Sequence, residues 1–403
     1  MSYQAFDDKQ AVLALWYIVN TSLAAFYKLV AHCGDAKAVL LSDPAVWQGL
    51  GIHAAHQKRW QDAVDVTAFI DKVAYDVGCG SYGLLIVGDA AYPSALAELY
   101  DPPPVLFYRG NVVRLNDKQI AIVGSRNPTE SAQKITFDLA QYLAQAGFVV
   151  TSGLAQGVDR QAHLGALAQL PSLSGRTVGV MGTGIDVIYP RNHNALFAQI
   201  IKDGGCLISE LLPSTPASKH TFPRRNRLVA GLSKAVIVTE AALQSGSLIT
   251  ARLCAEQGKQ VFAVPSSIDN ANAEGCHHLI REGATLIYHP DQILEDVNLQ
   301  DDEFFSALPK TFSQGNTLYG ETPKAAETEN SAKSAPASTA QTATQPVAIP
   351  ENLQGLYALM DTPKDLDALV MASGQDVGSL LANLMELEIL GVITQVGGRY
   401  GRC

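Results

Sequence analysis

Residues 119–126 read Gln119-Ile-Ala-Ile-Val-Gly124-Ser125-Arg126, and the same shape recurs six times further along the chain. Phe148-Val-Val-Thr-Ser-Gly153, Val178-Gly-Val-Met-Gly182 and Cys206-Leu-Ile-Ser-Glu210 come first, then Ala235-Val-Ile-Val-Thr-Glu240, Val261-Phe-Ala-Val-Pro265 and Thr285-Leu-Ile-Tyr288. Each is a short apolar run rich in Val and Ile. A strand with one wet face alternates apolar and polar residues, so unbroken runs predict strands covered on both faces. Between them, residues 131–146, 159–170, 193–202 and 248–257 carry apolar side chains at helical spacing. Strand alternating with helix predicts an α/β doubly wound, mostly parallel sheet over residues 81–300.

Working outward, residues 9–75 have helical spacing broken by Gly and Asp-Pro signals, which predicts an N-terminal helical domain over 1–80. Asp101-Pro-Pro-Pro104 leads into a short strand at Val105-Leu-Phe-Tyr108. Residues 301–349 are dominated by Ser, Thr, Ala, Gln, Glu and Pro with no apolar period, the composition of a disordered linker. Residues 350–403 read as three helices followed by Val392-Ile-Thr-Gln-Val396 and Gly397-Gly398, the order of a winged helix. Asp7 and Asp8 stand before the apolar stretch 11–19, and Asn20-Thr21-Ser22 interrupts it, which fits neither a signal peptide nor a membrane span. Six cysteines without a CxxC pair suit reduced thiols, so a cytoplasmic protein is expected. Cys276-His277-His278 lacks a second ligand cluster, and no metal site is predicted.

The chain has 403 residues, 29 Lys+Arg against 39 Asp+Glu, and a net charge of −10. A polyanion partner favours a basic protein, so bulk charge argues against nucleic acid. Most of the acidity, −7, falls in residues 301–403. Lys219, Arg224, Arg225, Arg227 and Lys234 lie within sixteen residues that contain no Asp or Glu. With Phe222 among them, this stretch offers cations for phosphates and an aromatic face for a base, the pairing used by single-strand binders. The plainer alternative is a solvated basic loop with Phe222 in the core. From sequence, the stretch follows a strand and precedes a short helix.

In an open parallel sheet, ligands sit beyond the carboxyl ends of the strands. Those ends here are Gly124-Ser125-Arg126, Ser152-Gly153-Leu154, Gly182-Thr183-Gly184 and Ser245-Gly246-Ser247. Glycine admits close backbone approach, and hydroxyls with helix N-terminal amides make phosphate hosts. One such glycine can simply make a turn, whereas four loops with hydroxyls and Arg126 predict an anion-binding crevice. The P-loop pattern is absent, and Val187 stands where a dinucleotide fingerprint wants Gly or Ala. Asp159 with His163, four apart on one helix, and the strand-ending Glu210 and Glu240 are acid–base candidates. Equally, Asp159 and Glu210 can cap helices or pair with Arg126 or the Arg224–Arg227 group.

These motifs together resemble the DNA processing protein A family (DprA, also called Smf). The resemblance rests on Gly124-Ser-Arg126, Ser152-Gly-Leu-Ala-Gln-Gly-Val-Asp159 with Ala162-His163, and Gly182-Thr-Gly184-Ile-Asp-Val-Ile-Tyr-Pro190. It continues through Phe222-Pro-Arg-Arg-Asn-Arg227, Ser245-Gly-Ser-Leu-Ile-Thr250 and Val261-Phe-Ala-Val-Pro265, in family order. Ser266-Ser267 departs from the Pro-Gly of many relatives. The resemblance implies an extended Rossmann-like domain that forms a homodimer, flanked by a SAM-like helical domain and a winged helix. It implies binding and protection of incoming single-stranded DNA in natural transformation, and loading of the recombinase RecA onto it. No catalytic residue, metal or cofactor is implied. The resemblance implies Arg126, Lys219 and Phe222 as lining of the DNA pocket; with the strand-end loops and the basic stretch read above, the expected DNA-binding residues are Gly124, Ser125, Arg126, Gly153, Lys219, Phe222, Arg224, Asn226, Arg227, Ser245, Gly246 and Ser247.

The presumed recognition helix of the winged helix, 376–390, holds Asp376, Glu386 and Glu388 but no Lys or Arg, and only Arg399 and Arg402 near the wing are basic. A helix entering the major groove needs cations, so a protein contact or a weak duplex contact is expected there. The alternative from another class is a nucleotide-binding or phosphoribohydrolase-like enzyme on the same fold. That enzyme needs a closed pocket with a paired acid and base, whereas a strand binder needs an open groove with a basic rim.

Overall fold

The computed structural model describes residues 3–168, 176–297 and 350–360, and parts of 361–402. The predicted linker 301–349 and most of the presumed recognition helix 376–390 lie outside the described residues. Residues through 297 fall in one compact unit and those from 350 in a second.

The first unit is built on a nine-stranded sheet: β1 (Gly83–Ile86), β2 (Val105–Gly110), β3 (Gln119–Val123), β4 (Val149–Ser152), β5 (Thr177–Val180), β6 (Cys206–Ser209), β7 (Ala235–Val238), β8 (Gln260–Ala263) and β9 (Thr285–Leu286). Their order across the sheet is β1-β2-β6-β5-β4-β3-β7-β8-β9. The strands from β6 to β9 in that order run parallel, and β2 is antiparallel to both β1 and β6. Every residue of β3, β4, β5, β6 and β7 is buried, as apolar runs with helices on both faces require. The sheet grows from β3 toward β6 on one side and from β7 toward β9 on the other. That reversal leaves a crevice at the carboxyl ends of β3 and β7. β1 was not legible in the sequence: Gly83-Leu-Leu-Ile86 is too short an apolar run to stand out between a helix and a turn.

Residues 3–78 are helical. Side-chain oxygens mark the starts: Asp7 and Gln10 form a reciprocal capping box on Asp8–Ile18, Ser22 caps Leu23–Cys33, and Asp43 caps Pro44–Gly49 with Pro44 at its first position. Gly34, at φ +99, ends the second of these helices, as the Cys33-Gly34 signal predicts. Trp16, Phe26 and Trp47 are buried in the same core as Phe107, Leu154, Ile185 and Phe197 of the sheet region.

In the second unit, the helix Glu351–Ala358 stands with a three-stranded antiparallel sheet of Lys364–Asp365, Ile393–Val396 and Arg399–Arg402. Leu353, Leu356, Met360, Leu380, Leu384, Leu387 and Tyr400 form its core. The Arg402 guanidinium lies 4.5 Å from the Tyr357 ring centroid and donates to the Tyr357 carbonyl at 2.9 Å.

Candidate nucleic-acid interface

The crevice between the carboxyl ends of β3 and β7 has a volume of about 450 Å³. Three of the four expected loops build it, contributing Gly124, Ser125 and Arg126, then Gly153, then Ser245, Gly246 and Ser247; Lys219, Phe222 and Asn226 complete it from the far side. Its turns are tightly made. Ser125 donates its N–H to the Glu240 carbonyl at 2.6 Å and accepts on its own carbonyl from Val158 N–H at 3.0 Å. The Ser125 hydroxyl accepts from Asn127 N–H at 3.1 Å, and the Ser245 and Ser247 hydroxyls meet at 2.6 Å. The helices Val158–Leu167 and Ser247–Glu256 begin at the crevice, and each has a glycine N-cap, so no N-cap side chain occupies their first-turn donors.

Gly182-Thr183-Gly184 lies outside this lining. A Cβ on Gly182 would come within 2.7 Å of the Phe222 ring, so the glycine makes room for the aromatic side chain instead of holding a phosphate. Tyr189 braces the same ring, centroids 5.6 Å apart. Phe222 is therefore half-buried, with its orientation fixed.

The basic stretch is not the loop that the sequence suggested. Residues from Thr221 to Leu232 form a helix, and the helix sends its cations in different directions. Arg224 Nε donates to Glu210 Oε1 at 2.8 Å and Arg227 Nη2 to Glu210 Oε2 at 2.5 Å. Glu210 is 2% exposed. Both arginines thus serve a buried carboxylate away from the crevice, because positions three apart on a helix share a face. Lys234 opens the path into the amino end of β7, at the opposite edge of the sheet from the crevice.

What remains in the crevice is Arg126 and Lys219, both exposed, neither with an acidic partner among the described residues. Beneath them is a pair that sequence reading did not assign to binding. Arg225 is 8% and Asp159 7% exposed, and Arg225 Nη2 stands 4.0 Å from Asp159 Oδ2 while its Nη1 donates to the Val180 carbonyl at 3.1 Å. Burial opposes the charged form of Arg225, Asp159 favours it, and nearby Arg126 disfavours it. No local signal links two residues so far apart in sequence. Their meeting is a product of the fold.

Each acid–base candidate has a partner. Asp159 faces Arg225 and accepts from Ala155 N–H at 3.2 Å; Glu210 holds two arginines. Glu240 accepts from Thr129 N–H at 3.0 Å and from its hydroxyl at 2.8 Å. His163 is fully buried between the Gly153 carbonyl and the Thr177 hydroxyl.

A family model described as DNA recombination-mediator protein A matches residues 83–298, more than half of the chain. The chain belongs to the DNA recombination-mediator protein A family. A second model, the DprA winged helix domain, matches residues 333–399. Protein Smf of Escherichia coli K12 is 38% identical over 311 residues, covering 77% of this chain and 75% of the relative. DNA processing protein DprA of Streptococcus pneumoniae is 42% identical over 208 residues, 52% of this chain and 72% of the relative. The X-ray structure of DNA processing protein A from Streptococcus pneumoniae matches with a TM-score of 0.60 at 31% identity, covering 71% of this chain and 97% of that one. Among the described residues, no helix is long and apolar enough to cross a membrane.

Proposed function

We propose that the crevice binds single-stranded DNA without regard to sequence, and that the chain, as a cytoplasmic homodimer, loads RecA onto that strand during recombination of incoming DNA. The observation that carries the DNA part is the pair of exposed cations, Arg126 and Lys219, beside the half-exposed ring of Phe222 in one crevice. Cations and backbone amides engage phosphates, and a ring stacks on any base, so the contacts carry no sequence code. In a duplex the bases are already stacked, so the ring selects for the single strand. No step of bond making or breaking belongs to this reading. The homodimer and RecA parts are supported by family membership; a monomeric mass by light scattering, or RecA filament growth unchanged by the chain, would remove them.

The test is the affinity for a fluorescent oligothymidine and for a matching duplex across a salt series. Wild type should prefer the single strand. Arg126→Ala and Lys219→Ala should each weaken binding uniformly across sequences and reduce the salt slope by about 0.7, the value for one single-strand phosphate contact. Affinity and slope unchanged in both variants would refute the assignment.

A further inference from the structure

Glu210, Arg224 and Arg227 lie outside the crevice, yet they hold the helix that carries Phe222 and Asn226 into it. The cluster reaches into the N-terminal helices. Trp16 Nε1 donates to the Glu210 carbonyl at 3.0 Å, and the Arg224 guanidinium lies 5.5 Å from the Trp16 ring centroid. Arg224 Nη1 donates to the Thr21 hydroxyl at 3.0 Å, while Arg227 Nη1 donates to the Asp101 carbonyl at 2.9 Å. Two half-buried arginines sharing one buried carboxylate tolerate little displacement, since the Glu210 charge would be left without compensation.

Thr21 adds an independent observation. Its φ is +59, a left-handed conformation that is costly for a β-branched residue. Glycine would adopt that backbone freely but could not offer Arg224 an oxygen. We infer that the N-terminal helices position the nucleic-acid helix, with Thr21 and Glu210 as positioning residues that set where Phe222 stands. The inference rests on the single-strand reading above and extends it to a part of the chain that lines none of the crevice.

Strain and function then move in opposite directions on substitution. Thr21→Gly relieves the backbone and removes the hydroxyl, two effects that offset in thermal stability, which should hold, while oligothymidine binding weakens by at most about fivefold, since only the displacement of Phe222 and not the whole internal hydrogen bond reaches binding. Thr21→Ser keeps the oxygen and should bind as wild type does. The salt slope should stay at the wild-type value in both, because no phosphate contact is lost. Glu210→Gln should weaken binding further, again without steepening the slope.

The experiment is the same salt series on wild type, Thr21→Gly, Thr21→Ser, Glu210→Gln, Arg126→Ala and Lys219→Ala, with thermal unfolding of each. Thr21→Gly binding as tightly as wild type would overturn the inference, as would Glu210→Gln binding more tightly with a steeper slope, which would make the released arginines phosphate contacts. A wild type that binds no strand, or Arg126→Ala and Lys219→Ala both binding as wild type does, would instead sink the single-strand reading and this inference with it. If Glu210→Gln does not fold, the glycine and serine variants at position 21 still decide the matter.

Discussion

Gly157 shows how a single residue sets the crevice. It has φ +78, and a Cβ there would stand 2.4 Å from the Ser125 carbonyl oxygen, a backbone atom that has nowhere to rotate. Gly157→Ala should therefore cost more than ~2 kcal/mol in urea unfolding and should disturb the Ser125-Arg126 turn enough to weaken DNA binding. His163 makes the opposite case, a residue that looked chemical and is internal. Burial pulls its pKa from 6.5 down to about 4, against the Gly153 carbonyl and Asp159, which favour the proton. The folded ring is thus neutral, with Nε2 donating to the Gly153 carbonyl and Nδ1 lying 2.7 Å from the Thr177 hydroxyl oxygen. The unfolded ring takes up a proton as the pH falls through 6.5. Stability is therefore fully present above pH 6.5 and falls by roughly 3 kcal/mol between about pH 6.5 and pH 4. His163→Gln should remove that part of the slope in urea unfolding between pH 7 and pH 5. The Thr177 hydroxyl also lies 2.6 Å from the Val150 carbonyl. Stability rising toward pH 5 would place its proton there and both protons on the ring.

At the scale of elements, the Thr221–Leu232 helix is the most demanding part of the fold. Arg225, Leu228, Val229 and Leu232 are buried, Arg224 and Arg227 face Glu210, and Phe222 with Asn226 face the crevice. No face is left as an ordinary solvated surface. Its carboxyl end is held by Lys259, whose ammonium donates to the Ala230 carbonyl at 2.9 Å and the Gly231 carbonyl at 2.8 Å. Both are carbonyls of the last turn, Ala230 also accepting from Ser233 N–H at 3.3 Å, and a cation suits that end of the helix dipole. Lys259→Ala should lower the urea unfolding midpoint by the equivalent of about 1 kcal/mol. An unchanged midpoint would mean water replaces the ammonium without loss.

For the molecule as a whole, charge is spread unevenly along the chain. The crevice sits in a segment near neutrality, and most of the net −10 is carried by residues 301–403. The second unit keeps Arg402 on the Tyr357 carbonyl, and its sequence offers few cations for a duplex. Deleting residues 350–403 should therefore leave oligothymidine affinity within about twofold of the full chain in the same titration. A larger loss would assign the second unit a share of the strand.

The parallel strands were legible in the sequence, since Ile120 to Val123 and its counterparts are apolar without alternation, whereas the edge strand β1 and the strand order were not. The sequence determined the crevice loops too, because Gly124-Ser125-Arg126 and Ser245-Gly246-Ser247 announce turns at strand ends. It could not sort the cations from Lys219 to Lys234, which are equal in composition. Only the tertiary structure gave Arg224 and Arg227 to Glu210, Arg225 to Asp159, and left Lys219 with Arg126 open to solvent. The physical reason is that a helix turns neighbouring residues about 100° apart. What a charge does is then decided by which buried carboxylate lies on its side, and that partner comes from another strand or another helix of the fold.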